Sequence, residues 1–134
     1  MKKDKKSRFV VQEHFSRTHH FDFRLELDNV LKSWAVPKGL PEKTGIMRLA
    51  VQTEDHDLDY INFEGEIPEG FYGAGKVKIF DSGSFELVER TQDKIVFVLN
   101  GKKLRGKYTL LRASYKNSDN KNWLVIKNKV SSKQ

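Results

Sequence analysis

The chain has no cysteine, no apolar run long enough to cross a bilayer, and no long segment with helical periodicity. Without cysteine it has no disulfide framework, no cysteine-ligated zinc site and no thiol nucleophile. Its first residues are basic, but no apolar segment follows them, so we expect no secretory signal. These absences favour a globular protein of the reducing cytoplasm that has no membrane partner.

What the sequence does contain is an excess of positive charge. The 134 residues include 25 Lys and Arg against 18 Asp and Glu, a net charge of +7. A basic domain of this size favours a polyanionic partner, nucleic acid first, although a solvated basic surface would explain the charge equally well. We find no internal repeat and no linker. We therefore expect a single domain over residues 1–134, with charged tails at 1–8 and 130–134.

Alternating apolar and polar residues predict an all-β fold. Phe21, Phe23, Leu25 and Leu27 alternate with polar residues, which is the pattern of a half-buried strand. The other predicted strands are short segments separated by turn residues: 31–36, 48–53, 77–80, 84–89, 94–99, 107–113 and 123–127. Many short strands with regular turns predict a small antiparallel β-barrel, closed or nearly closed.

The turn residues predict where these strands are connected. Asp81-Ser82-Gly83 and Asn100-Gly101 each indicate a β-hairpin between the segments that flank them. Gly70, Gly73 and Gly75 indicate a structural turn before the next strand, because no Lys-Ser/Thr follows as in a P-loop. Only short helical turns, near 15–18 or 68–72, fit the remaining pattern.

Four polar residues near the start of the chain suit a metal site. On the strand that contains Phe21 and Phe23, residues two apart share one face and lie ~6.6 Å apart. His20, Asp22 and Arg24 therefore project together, and His14, on a short loop upstream, can fold back beside them. Two imidazoles and a carboxylate suit a divalent transition metal, and the guanidinium suits an anionic oxygen. The alternative is surface histidines beside an ordinary Asp–Arg ion pair.

Further candidates lie later in the chain. His56 can act as a general acid or bind phosphate near neutral pH, and Glu54, on the same strand face, can orient it. Lys38 and Arg48 are single cations that can bind phosphate oxygens; solvated side chains are the alternative for both.

Taken together, these motifs resemble the 3′-phosphoesterase domain of bacterial DNA ligase D and its stand-alone archaeal relatives. The resemblance runs from about residue 9 to residue 127, and several motifs occur in the right order and spacing. The motifs are Gln12-Glu13-His14, His20-Phe21-Asp22-Phe23-Arg24-Leu25-Glu26, Ser33-Trp34-Ala35-Val36-Pro37-Lys38-Gly39, Glu54-Asp55-His56 with Tyr60, and Phe63-Glu64-Gly65 through Tyr72-Gly73-Ala74-Gly75.

The resemblance implies a small β-barrel with a polar active-site pocket on one side. It also implies a manganese-dependent enzyme that heals the 3′ ends of broken DNA before ligation, in non-homologous end joining. Such an enzyme removes a 3′-terminal ribonucleoside from a primer strand and then hydrolyses the 3′-phosphate that remains. By motif, His14, His20 and Asp22 would be the metal ligands. The residues alone would equally accept another divalent transition metal.

The resemblance also implies roles for the other candidates. Arg24, His56 and Tyr60 would contact the scissile phosphate. The supporting residues of the pocket would be Gln12, Lys38, Arg48 and Glu54. Longer family members carry an N-terminal extension with charged residues for the phosphomonoesterase step, whereas 13 residues precede His14 here. The resemblance therefore supports the diesterase step more directly.

The same resemblance implies the substrate and the partner proteins. We expect a DNA primer–template with a 3′-ribonucleotide or 3′-phosphate end as substrate. We also expect a monomer that works at the nucleoid with separate ligase, polymerase and end-binding proteins.

Three other functions fit part of the sequence. A non-catalytic nucleic-acid-binding barrel accounts for the charge and the strands, but it has no need of the two histidines and the carboxylate. A non-haem iron oxygenase uses the same three ligand types, but it needs a cavity for an organic co-substrate. A carboxylate-based nuclease needs paired carboxylates for two metals, and the sequence offers no such pair.

Overall fold

The computed structural model describes residues 7–113 and 120–129, which contain nine β-strands and one short helix. In chain order they are β1 Ser7–Phe15, β2 His19–Leu27, β3 Val30–Val36, β4 Met47–His56, the 3-10 helix Leu58–Asn62, β5 Gly65–Ile67, β6 Gly75–Arg90, β7 Lys94–Gly101, β8 Arg105–Arg112 and β9 Asn122–Lys127. The described residues thus confirm the all-β prediction.

Eight of these strands form a closed antiparallel barrel, as expected. Their order around the barrel is β1-β2-β3-β4-β9-β8-β7-β6, and the pairing of β6 with β1 closes it. The short strand β5 lies outside the ring and pairs with the first part of β6. Among the described residues there is no helix long and apolar enough to span a membrane.

The apolar core fills the inside of the barrel. Along β2, Phe23 and Leu25 face inward and are fully buried. Phe23 packs against Trp34 of β3 and Phe97 of β7, with ring centroids 6.0 and 5.7 Å apart. The half-buried alternation predicted for this strand is therefore correct on its inner face.

The outer face of β1, β2 and β3 is also covered, because the chain from β4 to β6 folds back over it. A small apolar cluster of Val10, Leu31 and Ile61 packs the 3-10 helix against this face. Polar residues that alternation alone would expose to water are therefore buried here. This covered outer face is the structural basis of the site described below.

One of the two predicted hairpins is wrong. Asp81-Ser82-Gly83 lies within the continuous strand β6, and the register between β1 and β6 shifts beside it, as at a β-bulge. The Asp81 carboxylate accepts hydrogen bonds from the backbone N–H groups of Lys102, Lys103 and Leu104, at 3.0, 3.0 and 2.7 Å. The turn residues at 81–83 therefore indicate a bulge in β6. The Asp81 side chain holds the turn between β7 and β8.

The second hairpin is confirmed with a small shift. Asn100 still pairs with Arg105, so the turn between β7 and β8 follows Gly101 and does not begin at Asn100. The short turns allowed at 15–18 and 68–72 are not helical, because residue 15 ends β1, residues 16–18 form bends and residues 69–72 form turns with a bend at 71. The helix lies at 58–62 instead.

Two predictions near the N-terminus are also corrected. Ser7 and Arg8, which we placed in a charged tail, begin strand β1. His14, which we placed on a loop, lies on β1 directly opposite His20. The rest of both predicted tails lies outside the described residues.

Candidate metal and phosphate site

Strand pairing brings the predicted metal ligands together. His14 on β1 lies opposite His20 on β2, and Asp22 follows two residues later on the same outer face. Asp22 Oδ2 is 3.5 Å from His14 Nδ1, and Asp22 Oδ1 is 3.3 Å from His20 Nε2. The possible ligand atoms of the three residues lie within 4.8 Å of one another. His14, His20 and Asp22 therefore form a possible metal-binding site.

Two backbone carbonyls orient the imidazoles for this role. His14 Nε2 is 2.8 Å from the carbonyl oxygen of Gly73, and His20 Nδ1 is 2.8 Å from that of Thr18. Because a carbonyl oxygen only accepts, each of these ring nitrogens carries the proton. In the neutral imidazoles the lone pairs of His14 Nδ1 and His20 Nε2 then face Asp22. A divalent metal binds to such lone pairs of neutral imidazoles whose other ring nitrogen is hydrogen-bonded. The residues therefore fit the ion that the family resemblance implies.

Asp22 and His20 shift each other's pKa. Burial acts to raise the pKa of Asp22, but the hydrogen bond with His20 and the charge of Arg24 outweigh it, so the pKa lies below its ordinary value. The hydrogen bond with Asp22 raises the pKa of His20, against the opposing effect of burial. A metal ion would take the place of the proton shared between these two residues.

Arg24 extends the site along β2 and is almost fully buried. Its Nε donates to Gln12 Oε1 at 2.6 Å, and its Nη1 donates to Ser33 Oγ at 2.9 Å. Its Nη2 lies 3.6 Å from Asp22 Oδ2. Since Nε and Nη1 are held by protein acceptors, Nη2 is the nitrogen best placed to meet an anion in the pocket.

Gln12 connects this arginine to the cover of the site. Its side chain is fully buried. While Oε1 accepts from Arg24, Nε2 donates to the carbonyl oxygens of Tyr60 and Phe63, at 3.1 and 3.2 Å. Gln12 therefore fixes the 3-10 helix and the guanidinium at once, and it acts on the pocket through Arg24.

His56, at the end of β4, contacts Arg24 from the other side. Its Nδ1 is 3.2 Å from Arg24 Nη1 and also 3.2 Å from the backbone oxygen of Glu54. A single imidazole nitrogen cannot both accept a hydrogen bond from Arg24 Nη1 and donate one to the Glu54 oxygen. A guanidinium only donates, so its partner must accept. We therefore assign Nδ1 as the acceptor and Nε2 as the protonated nitrogen. Burial and the charge of Arg24 both lower the pKa of His56 below its ordinary value, which favours the neutral ring.

Tyr60 and Glu54 lie beside this histidine. The Tyr60 ring stacks on Phe63, with centroids 4.9 Å apart, and it lies 4.7 Å from the His56 ring and 4.9 Å from the Arg24 guanidinium carbon. Burial raises the pKa of Tyr60 above its ordinary value. The Glu54 side chain is exposed, and it is the backbone of this residue that contacts His56.

Six of the predicted site residues line one cavity of about 340 Å³. The predicted residues that line it are His14, His20, Asp22, Arg24, His56 and Tyr60. A buried guanidinium, an imidazole N–H and three possible metal-ligand groups thus face one space. This arrangement can bind a metal ion and a tetrahedral anion next to each other.

The structure does not bring Lys38 and Arg48 into this cavity. Arg48 pairs in register with Val125, a core residue, so its side chain lies on the inner face of β4. Its Nη1 donates to the carbonyl oxygens of Lys38 and Gly39, at 2.8 and 3.2 Å. Both residues line a separate cavity of about 380 Å³.

Sequence reasoning missed the groups that orient the site. The carbonyls of Thr18 and Gly73 belong to loops, and a backbone acceptor leaves no residue-type signal. Ser33 was quoted only as part of a motif, although its hydroxyl accepts from Arg24. Tyr72 lines the cavity as well, from the glycine-containing segment that we interpreted as a structural turn.

Comparison with known proteins agrees with this geometry. Residues 12–112 match the family model of the DNA Ligase D 3′-phosphoesterase domain. The chain is 50% identical over 110 residues to the multifunctional non-homologous end joining DNA repair protein LigD of Mycobacterium tuberculosis. The alignment covers 79% of this chain and 14% of that protein. The corresponding proteins of Mycolicibacterium smegmatis and Pseudomonas aeruginosa are 45% and 44% identical, over 88% and 91% of this chain.

The matched relatives are much longer than this chain, which spans 14% to 16% of their length. The family-model match includes every residue that lines the cavity of about 340 Å³. The motifs of the sequence, the barrel and the family match lead to one assignment. The chain belongs to the family of DNA ligase D 3′-phosphoesterase domains.

Proposed function

We propose that this domain is a manganese-dependent phosphoesterase of DNA 3′ ends. It removes a 3′-terminal ribonucleoside from a primer strand and then hydrolyses the resulting 3′-phosphate to a hydroxyl. The observation that carries the proposal is the meeting of His14, His20 and Asp22 with Arg24 and His56 in one cavity. A protein that only binds DNA has no need of this combination.

The metal would be held by the two oriented imidazoles and the Asp22 carboxylate. When bound, it supplies Lewis-acid stabilisation for an oxygen of the phosphate. Nitrogen and carboxylate ligands without sulfur are compatible with Mn²⁺.

Arg24 and His56 bind the substrate phosphate in this proposal. Arg24 presents Nη2, while its other nitrogens are fixed by Gln12 and Ser33, so little ordering is needed when the substrate enters. His56 presents Nε2–H and, being neutral, adds a hydrogen bond without a second buried positive charge beside Arg24. Both donors can strengthen as negative charge builds on the phosphate oxygens in the transition state.

The biological setting is proposed from the relatives, whose names refer to non-homologous end joining. The net charge of +7 suits a DNA partner. Ligase and polymerase activities would be supplied outside this domain. We propose that the domain works as a monomer on primer–template ends at the nucleoid.

The test is a denaturing gel of a 5′-labelled primer–template that ends in a ribonucleotide, with and without Mn²⁺. We expect Mn²⁺-dependent shortening, first to a 3′-phosphate and then to a 3′-hydroxyl. Accumulation of the 3′-phosphate would restrict the proposal to the diesterase step. Binding of the DNA without shortening under any divalent metal would contradict the proposal and favour a non-catalytic barrel.

A further inference from the structure

An exposed aromatic side chain lies beside the candidate metal site. Tyr72 is 99% exposed, and its neighbour Phe71 is 67% exposed. Both lie in the segment between β5 and β6. Two adjacent aromatic side chains that expose most of their surface beside the candidate site offer a flat apolar surface on which a partner can pack.

The backbone that carries Tyr72 is held in place. Two hydrogen-bonded turns follow each other, from Pro68 to Phe71 and from Phe71 to Ala74, with N···O distances of 3.3 and 3.1 Å. In each turn the third residue is a glycine with positive φ, +92° at Gly70 and +80° at Gly73, as type II turns require. The carbonyl of Gly73 also accepts from His14. The backbone that carries the exposed ring is thus fixed relative to a candidate metal ligand.

Tyr72 connects two adjoining cavities. It lines the cavity of the metal site, and it also lines a larger one of about 970 Å³. The larger cavity shares Ser16, His20, Ile67 and Gly73 with the first and adds Phe71. A phosphate bound at the metal site would therefore have an aromatic-walled space directly beside it.

The charge of the larger cavity suggests which part of a nucleic acid it accepts. Two carboxylates line it, Glu66 and Glu69, together with Arg17 and with His20, which the cavity shares with the metal site. Within a basic chain, this is a poor environment for further phosphates. A terminal nucleoside carries no phosphate beyond the scissile one, so it fits this cavity better than the continuing strand does.

We infer that Tyr72 forms a stacking subsite, with Phe71 beside it, for the base of the 3′-terminal nucleoside. This inference rests on the proposed function, because it requires the scissile phosphate to lie at His14, His20 and Asp22. Stacking on an aromatic ring tolerates any base, so the subsite would recognise a terminal nucleoside without reading its sequence.

Binding of three primer–templates tests the inference. The labelled primer of the first ends in a ribonucleoside. The second is identical except that its terminal ribose lacks the base. The third lacks the terminal nucleoside and ends in a 3′-phosphate. Fluorescence anisotropy is measured without divalent metal, so that no turnover occurs. We expect Tyr72→Ala to weaken binding of the first DNA on the order of 10-fold and to leave binding of the other two unchanged.

Two control variants define the result. Tyr72→Phe keeps the ring and should bind all three DNAs as the wild type does. Leu111→Ala removes another exposed apolar side chain, on β8 at the opposite side of the barrel, and should change none of them. Equal weakening of all three DNAs by Tyr72→Ala, or no weakening of any, would overturn the inference.

The outcome separates this inference from the proposed function. If the wild type hydrolyses 3′ ends but Tyr72→Ala binds normally, the stacking subsite is wrong and the function stands. If the wild type prefers the terminal base through Tyr72 but hydrolyses nothing, the subsite stands and the catalytic proposal fails.

Discussion

The two faces of strand β2 differ in what holds their side chains. On the inner face, Phe23 and Leu25 are packed among apolar residues of the barrel core. On the outer face, His20, Asp22 and Arg24 are held by hydrogen bonds and ion pairs under the segment that follows β4. Burial on the inner face stabilises the fold. Burial of charges on the outer face costs free energy, and an apolar replacement would often be at least as stable. The outer face is therefore best explained by function.

A second comparison is between two arginines of neighbouring strands. Arg24 lies on the outer face of β2, where it contacts Asp22 and His56. Arg48 lies on the inner face of β4, where backbone carbonyls of the β3–β4 connection accept from it. The family resemblance gave both a place in the pocket, but only Arg24 lines the cavity of the metal site. The following predictions test whether function follows this division.

Replacing a metal ligand should have the largest effect. We expect His20→Ala to abolish Mn²⁺-dependent cleavage of the primer–template, because one of three ligands is lost. His19→Ala is the matched control, since His19 is the adjacent histidine and pairs with Glu13 on the opposite face of the strand at 2.8 Å. Titration with Mn²⁺ should show weakened metal binding only for His20→Ala. Full activity of His20→Ala would refute the metal assignment.

Replacing Arg24 should have the next largest effect. Loss of a buried charged donor to the transition state lowers kcat/KM by about 10²- to 10³-fold. We expect Arg24→Lys to lose most of that, because the single nitrogen of Lys cannot reproduce the planar fork whose separate nitrogens reach Gln12, Ser33 and a phosphate. Thermal unfolding must accompany the kinetics, since Arg24→Ala would remove one of the positively charged groups beside the buried Asp22 carboxylate. A kcat/KM within a few-fold of wild type would show that Arg24 does not bind the phosphate.

Replacing His56 separates phosphate binding from metal binding. His56→Ala should lower kcat by about 10²-fold and leave Mn²⁺ affinity unchanged, because the residue contacts Arg24 and not the ligands. Activity and calorimetric Mn²⁺ binding are measured on the same preparation. A loss of metal affinity as large as that of His20→Ala would make His56 a ligand instead.

The sequence predicts the parts of this site that lie on one strand. The spacing of His20, Asp22 and Arg24, with aromatic residues between them, is enough to place all three on one face. The barrel follows in the same way from short alternating strands. The position of His14 on β1 could not be predicted, because it depends on which strand pairs with β2 and in which register.

What the sequence does not predict depends on long-range packing. Gln12 looks like an ordinary surface residue, yet it is buried because the 3-10 helix folds over it. Asp81 carries a strong turn signal, yet its carboxylate binds a turn more than twenty residues away. In both cases a polar side chain satisfies backbone groups that become its neighbours only in the folded barrel.

The smallest effect is expected for the inner-face arginine. Arg48→Ala should change kcat/KM by no more than a few-fold, because its side chain donates to the carbonyls of Lys38 and Gly39 and lies on the face of β4 opposite the metal site. Loss of those hydrogen bonds should lower the free energy of unfolding by about 1 kcal/mol. Lys38→Ala, which keeps the carbonyl and removes only the amine, should leave both quantities near those of the wild type. Denaturant unfolding and initial rates of primer shortening measure the two effects separately. A loss of activity by Arg48→Ala comparable to that of Arg24→Ala, with stability unchanged, would show that the division between inner and outer face does not determine function here.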